Sequence, residues 1–179
     1  MRPLGSFFAL LALSVLGCAP TVPARWVEGG APLALPAARW NRGESDPIEV
    51  RPDGKVYEGG SLAFVIDRVG RVADDHFEPV AVLLPDGRLA GTDDHFLGQV
   101  GVSNASPPQS GQAWLAVVPN GQVIYFDDDG TRANGGVWTG CEGPAHRTCT
   151  LVTHLLALRS MMQRAQPAVT VGVGVGVGF

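Results

Sequence analysis

Two copies of one tetrapeptide, Asp74-Asp75-His76-Phe77 and Asp93-Asp94-His95-Phe96, carry the residue types most able to do chemistry in this chain. Carboxylate oxygens and neutral imidazole nitrogens are ordinary ligands of divalent cations. If both copies sit on equivalent hairpins, Asp75, His76, Asp94 and His95 would converge on one ion. The preferred expectation is plainer: the copies record a duplication, with Asp ending a strand, His solvated and Phe anchoring the next strand in the core. A third acidic run, Asp127-Asp128-Asp129-Gly130, has the start of a calcium loop but not the distal bidentate Glu that completes an EF-hand.

Cys141 and Cys149 flank a turn-rich segment, in a chain that, as shown below, has the marks of export to an oxidising compartment. A disulfide is the preferred reading, and closing a loop this short contributes about 2.5 kcal/mol in the chain-entropy picture. The same cysteines with His146 and His154 form a four-ligand set suited to zinc. Their spacing lacks the paired arrangement by which zinc motifs are recognised. The chain has no G-x-S-x-G elbow, no H-E-x-x-H, no phosphate-binding loop and no dinucleotide fingerprint. A catalytic role is therefore the minor reading, and no cofactor is expected.

The elements that must carry these residues follow from periodicity. From Ile48 to about Val137, short aliphatic and aromatic runs alternate with Gly-containing turns, the pattern of hairpins. Arg51-Pro52-Asp53-Gly54-Lys55, Leu84-Pro85-Asp86-Gly87-Arg88 and Val118-Pro119-Asn120-Gly121-Gln122 share one plan, in which Pro presets φ, Asp or Asn tolerates the left-handed region and Gly supplies it freely. With Gly70 as a degenerate copy, the glycines are spaced 16, 17 and 34 residues apart, so one copy is eroded, in the polar stretch from Ser103 to Gln112. The fold class expected is mainly β: an antiparallel hairpin-repeat meander forming a small sandwich or open barrel. Leu151, Leu155, Leu158, Met162 and Ala165 recur at helical spacing and predict one amphipathic C-terminal helix packed on the sheet and stopped by Pro167.

The chain has 179 residues, 13 Lys and Arg against 17 Asp and Glu, and a formal charge of −4. Lys55 is its one lysine. Nothing in it forms the clustered basic face that nucleic acid requires.

Met1-Arg2-Pro3, the apolar run Leu4 to Leu16 and then Gly17-Cys18 make the three-part layout of a secretory signal, too short to span a bilayer. Val15-Leu16-Gly17-Cys18 resembles the lipobox of bacterial lipoproteins. That resemblance implies cleavage before Cys18, acylation of its thiol and amine with chains such as palmitate, and membrane attachment through lipid. With Ala19 in the next position, outer-membrane delivery is expected, with the protein facing the periplasm or the cell surface. Thr139-Gly140-Cys141 resembles the nucleophile segment of L,D-transpeptidases, but Thr139 stands where that family has histidine, and a disulfide would remove the thiolate.

At the far end, Val169, Val171, Val173, Val175, Val177 and Phe179 alternate with Thr170 and four glycines, which gives a strand with one apolar face and one bare face. A terminal aromatic on such a strand resembles the C-terminal assembly signal of outer-membrane β-barrels. The preferred expectation is a last strand of the protein's own sheet. The alternative is pairing with an outer-membrane or envelope partner, or with the membrane. The organisation expected is a signal over 1–17, acylated Cys18 and a Pro/Ala-rich tether over 18–47, a hairpin domain over 48–140, a disulfide connector and helix over 141–167, and a Val/Gly strand over 168–179.

Overall fold

The computed structural model describes residues 21–127 and 129–165. Cys18 and the residues of the expected Val/Gly strand, Val171, Val173, Val175, Val177 and Phe179, lie outside the described residues. Twelve strands run in chain order: β1 (Ala38–Arg42), β2 (Ser45–Val50), β3 (Lys55–Glu58), β4 (Ser61–Ile66), β5 (Arg71–Asp74), β6 (Pro79–Leu83), β7 (Arg88–Gly91), β8 (Phe96–Val100), β9 (Asn104–Ser106), β10 (Leu115–Val117), β11 (Gln122–Phe126) and β12 (Arg132–Thr139). Among the described residues one α-helix, α1 (His146–Ala165), follows. Each strand pairs antiparallel with its chain neighbours, and β12 returns to pair with β1. The mainly β meander of the sequence reading is thus realised as a closed barrel, and the disulfide between Cys141 and Cys149 is formed.

One turn chemistry builds most of the meander. At Arg51, Asp67, Leu84 and Val118 the backbone N–H donates to the carbonyl four residues on, and the glycine three residues on, left-handed in every case, donates back. This is a type I turn with a left-handed bulge residue, which suits the twist of the strands. The eroded copy is the tight turn Gly101 to Asn104, so the starts fall at 51, 67, 84, 101 and 118. A second tier of bonds stacks the hairpins: the amides of Ile66, Leu83, Val100 and Trp138 donate to the carbonyls of Gly54, Gly70, Gly87 and Gly121 at 2.7–2.8 Å.

The barrel starts ten residues earlier than the sequence reading placed it. Residues 29–47 are not a tether. Trp40 on β1 is 1% exposed, stacks on Trp138 of β12 at 5.5 Å and donates its indole N–H to the Gly135 carbonyl, so the closing seam is welded by two tryptophans. Ahead of β1, the amides of Gly30, Ala31 and Leu33 donate to the carbonyls of Val69, Leu83 and Arg68. That strap crosses one mouth of the barrel. The Pro and Ala content that reads as a linker lets this strap lie flat against turn backbone with few side chains in the way.

The helix goes through the barrel rather than onto it. From Thr148 to His154 seven consecutive side chains have no exposed surface, which a helix lying on a sheet face cannot achieve. Its partners surround it. Thr153 Oγ1 accepts from the indole of Trp138 on β12, His154 meets Trp114 and the Leu97 carbonyl of β8, and Arg159 pairs with Glu58 of β3. It enters at the strapped mouth, where Thr148 Oγ1 donates to the Ala34 carbonyl and Thr150 Oγ1 to the Val102 carbonyl. It leaves at the opposite, exit mouth. The stripe inferred from sequence is only partly buried: Leu151 and Leu158 are inside, while Met162 is 57% exposed where the helix has emerged.

Inward positions are apolar (Ile48, Val56, Ile66, Leu83, Leu89, Leu115), and outward positions carry Arg39, Glu49, Arg71, Arg88, Gln99 and Gln122. A transmembrane barrel has the reverse pattern on strands of about 9–11 residues, whereas these strands have three to eight. No described helix is long and apolar enough to cross a membrane.

The stacking of turn glycines on the next hairpin's backbone gives a direct test. Gly121 has φ +84, and a Cβ there would overlap the Trp138 carbonyl oxygen. Gly43 has φ +71 with nothing within 4 Å. Gly121→Ala is expected to cost roughly 2–4 kcal/mol in urea unfolding, and Gly43→Ala only about 1–2 kcal/mol.

Candidate functional site

The turns of a meander alternate between the two mouths, so both Asp-Asp-His-Phe copies lie at the exit mouth, on the β5–β6 and β7–β8 connections. They are not equivalent. Asp74 donates its amide to the Glu78 carbonyl as Gly91 donates to that of His95, so the turns are related by 17 residues and the tetrapeptides by 19. The two-residue offset gives matching side chains different positions. Asp74 Oδ1 accepts from the amides of His76 and Glu78, a turn-capping role, whereas Asp93 Oδ1 accepts from the amide and hydroxyl of Thr21 at 2.9 and 2.8 Å. Those bonds, the backbone amide first and the hydroxyl second, hold the Asp93 carboxyl below the usual range.

The proposed convergence of Asp75, His76, Asp94 and His95 is therefore not built. Among the described residues, one group has ligand atoms close enough for a cation: Asp74, Asp75 and His76, within 4.8 Å of one another, with His76 Nδ1 3.0 Å from Asp75 Oδ1. Asp94 and His95 are exposed and lie outside it. The expectation that the paired phenylalanines anchor strands in the core is also corrected. Phe77 is 62% exposed and Phe96 45%. Asp129, from the third acidic run, accepts the Thr131 amide and closes the β11–β12 turn.

The cysteine and histidine set is spoken for. Cys141 and Cys149 are bonded to each other with Cα atoms 6.1 Å apart, so neither offers a thiolate to a metal or a substrate. The His146 ring bonds the Val117 carbonyl through Nε2. In His154, Nδ1 accepts from the Trp114 indole at 3.0 Å, which leaves the proton on Nε2 to be donated to the Leu97 carbonyl at 2.8 Å. Burial of this ring pushes its pKa down to about 4, with the bond to Leu97 pulling the other way. Gly98 makes room for it, since a Cβ there would come within 2.9 Å of the imidazole.

A cleft of about 400 Å³ opens at the exit mouth between the emerging helix, strands β1 and β11, and Trp114 just ahead of β10. Trp40, Trp114, Tyr125 and Phe126 form its aromatic wall, and Arg42, Asp127 and Arg164 its polar rim. Tyr125 is pushed up to about 12 by burial, against a lowering by Arg42, so its phenol stays protonated as a donor. Arg42 is held by Glu58 at 2.7 Å. The arrangement offers stacking surface and hydrogen bonds, without a nucleophile and base in contact. The sequence reading did not single out this cleft. Its only linear trace is an aromatic pair, Tyr125-Phe126, straddling the β11 pleat at the strand's end.

Compared with known protein families, with curated proteins and with solved structures, the chain matches none. Function has to be read from the molecule itself.

His154 sets an acid limit on the fold. Its unfolded value is 6.5 and its folded value about 4, so the unfolded chain takes up the proton first, and stability present above pH 6.5 is lost as pH falls toward 4. The full loss is roughly 3 kcal/mol. Urea titrations between pH 7.5 and 4 should show it, and His154→Leu should flatten that slope while lowering stability at pH 7.5, because Trp114 and Leu97 lose their partner.

Proposed function

We propose that the protein is a lipid-anchored cell-envelope component with a non-catalytic binding or scaffolding role, attached through Cys18 and engaging an outer-membrane or envelope partner through residues 168–179. The observation that carries the partner assignment is closure of the sheet. β1 pairs β12, so none of the twelve strands offers an edge to a further one. The expectation that the Val/Gly segment completes its own sheet thus loses its docking place. A strand of alternating Val and Gly has a full row of backbone donors and acceptors to satisfy, and an exposed one is an aggregation hazard. An open sheet edge on another protein satisfies both requirements.

The filled interior points the same way. The barrel holds core and helix where a binding barrel would hold a ligand, so recognition falls to the mouths and the chain ends. Deleting residues 168–179 should abolish co-purification of a partner from detergent-solubilised envelopes while the circular dichroism spectrum is retained. Unaltered co-purification overturns the assignment.

A divalent-cation role is the second reading, supported by the 4.8 Å grouping of Asp74, Asp75 and His76. Calorimetry with calcium and with zinc should give saturable heat that Asp75→Asn removes. No heat at high micromolar metal eliminates it.

A further inference from the structure

The first and last described residues, Thr21 and Ala165, both lie toward the exit mouth. The meander places the β5–β6 and β7–β8 turns there, Thr21 is fastened to Asp93 on the second of them, and the helix emerges there carrying Met161 and Met162. Cys18 is three residues ahead of Thr21 and so reaches at most about 11 Å from it. The same rim shows Phe77 and Phe96 to solvent. We infer that the exit mouth is a lipid-contact face, on which Phe77 and Phe96 enter the headgroup region of the zwitterionic leaflet that holds the Cys18 acyl chains. This rests on the lipid-anchored reading above.

Phe77 is the telling residue. It occupies the turn position taken by glycine at Gly54, Gly70, Gly87, Gly121 and Gly130, and it is left-handed like them, with φ 66. A bulky side chain in that conformation costs about 1–2 kcal/mol. A ring that is 62% exposed recovers little of this from packing within the barrel. A strained, outward aromatic is what an interfacial contact uses; the equivalent position of the β7–β8 turn holds Asp94, a residue type that tolerates the left-handed region as Phe does not. Phe96, at the start of β8 one hairpin along, supplies the second ring. The charge on the rim selects the lipid. Asp75 and Asp94 stand two residues ahead of the two rings and Arg42 and Arg164 lie on the same rim, a mixture of signs that suits a zwitterionic surface. Toward the strapped mouth the exposed apolar side chains are the smaller aliphatic Val27, Val69 and Val102.

The test uses the full-length protein carried through its own export pathway and reconstituted in phosphatidylethanolamine and phosphatidylcholine vesicles, with and without brominated acyl chains. Mass spectrometry of Cys18 first establishes acylation; an unmodified thiol overturns both the anchor and this inference. On acylated protein, Phe77→Trp and Phe96→Trp are each expected to add emission that brominated lipid quenches, and Val102→Trp emission that it does not. Phe96→Trp involves no left-handed backbone and reads the contact by itself should Phe77→Trp fold poorly. Acylated, vesicle-bound protein with unquenched Trp at position 96, or with equal quenching at position 102, overturns the lipid-contact face and leaves the anchor standing.

Discussion

Seven successive side chains of one helix, Thr148 to His154, are sealed inside the sheet, and the geometry of the barrel requires something of that size in its interior. About eight strands enclose a space that side chains alone can fill. Twelve enclose more, and with strands this short the inward residues cannot reach one another across the middle. The helix supplies the missing volume. It also brings polar groups into the interior; those of Thr148, Thr150, Thr153 and His154 are matched, while the buried Nε of Arg147 has no partner among the described residues. Thr148 and Thr150 meet carbonyls that the hairpins and strap turn inward, Thr153 meets the Trp138 indole, and His154 sits between Trp114 and Leu97. Matched groups of this kind fix the helix in rotation and depth, which a purely apolar contact would leave looser.

Everything else follows from that filling. The sheet closes because its two end strands meet over the stacked pair Trp40 and Trp138, and the second of these is itself bonded to the helix. One mouth is closed by the strap from Gly30 to Leu33 and by the disulfide at the helix entry. The other is left with the emerging helix, the aromatic cleft and the described residues nearest the two chain ends. The interior is occupied by the helix and apolar side chains, and the aromatic cleft opens at one end.

Local rules made the hairpins legible. Pro, Asp and Gly at fixed offsets predict the turns because each residue type acts through its own φ, and the spacing near 17 led directly to the meander. The disulfide and the helix were legible for similar reasons. Closure was not, since no local pattern says whether the last strand finds the first. The strap was misread because Ala and Pro look alike in a linker and in a segment pressed against backbone. The duplicated tetrapeptide carries no information about register, and a two-residue offset separates the matching residues. The depth of the helix did leave a trace: from Thr148 to Leu158 there is no charged residue, three turns that no solvent-facing helix would leave uncharged.

Native-state hydrogen exchange on residues 146–165 tests the central claim most directly. If the helix is the core of the barrel, the amides of Thr150 to Leu156 exchange only through global unfolding, as slowly as those of Ile48 and Leu83 in the strands. Fast exchange along the helix while the strand amides stay protected would show a barrel that stands without it, and would contradict the account.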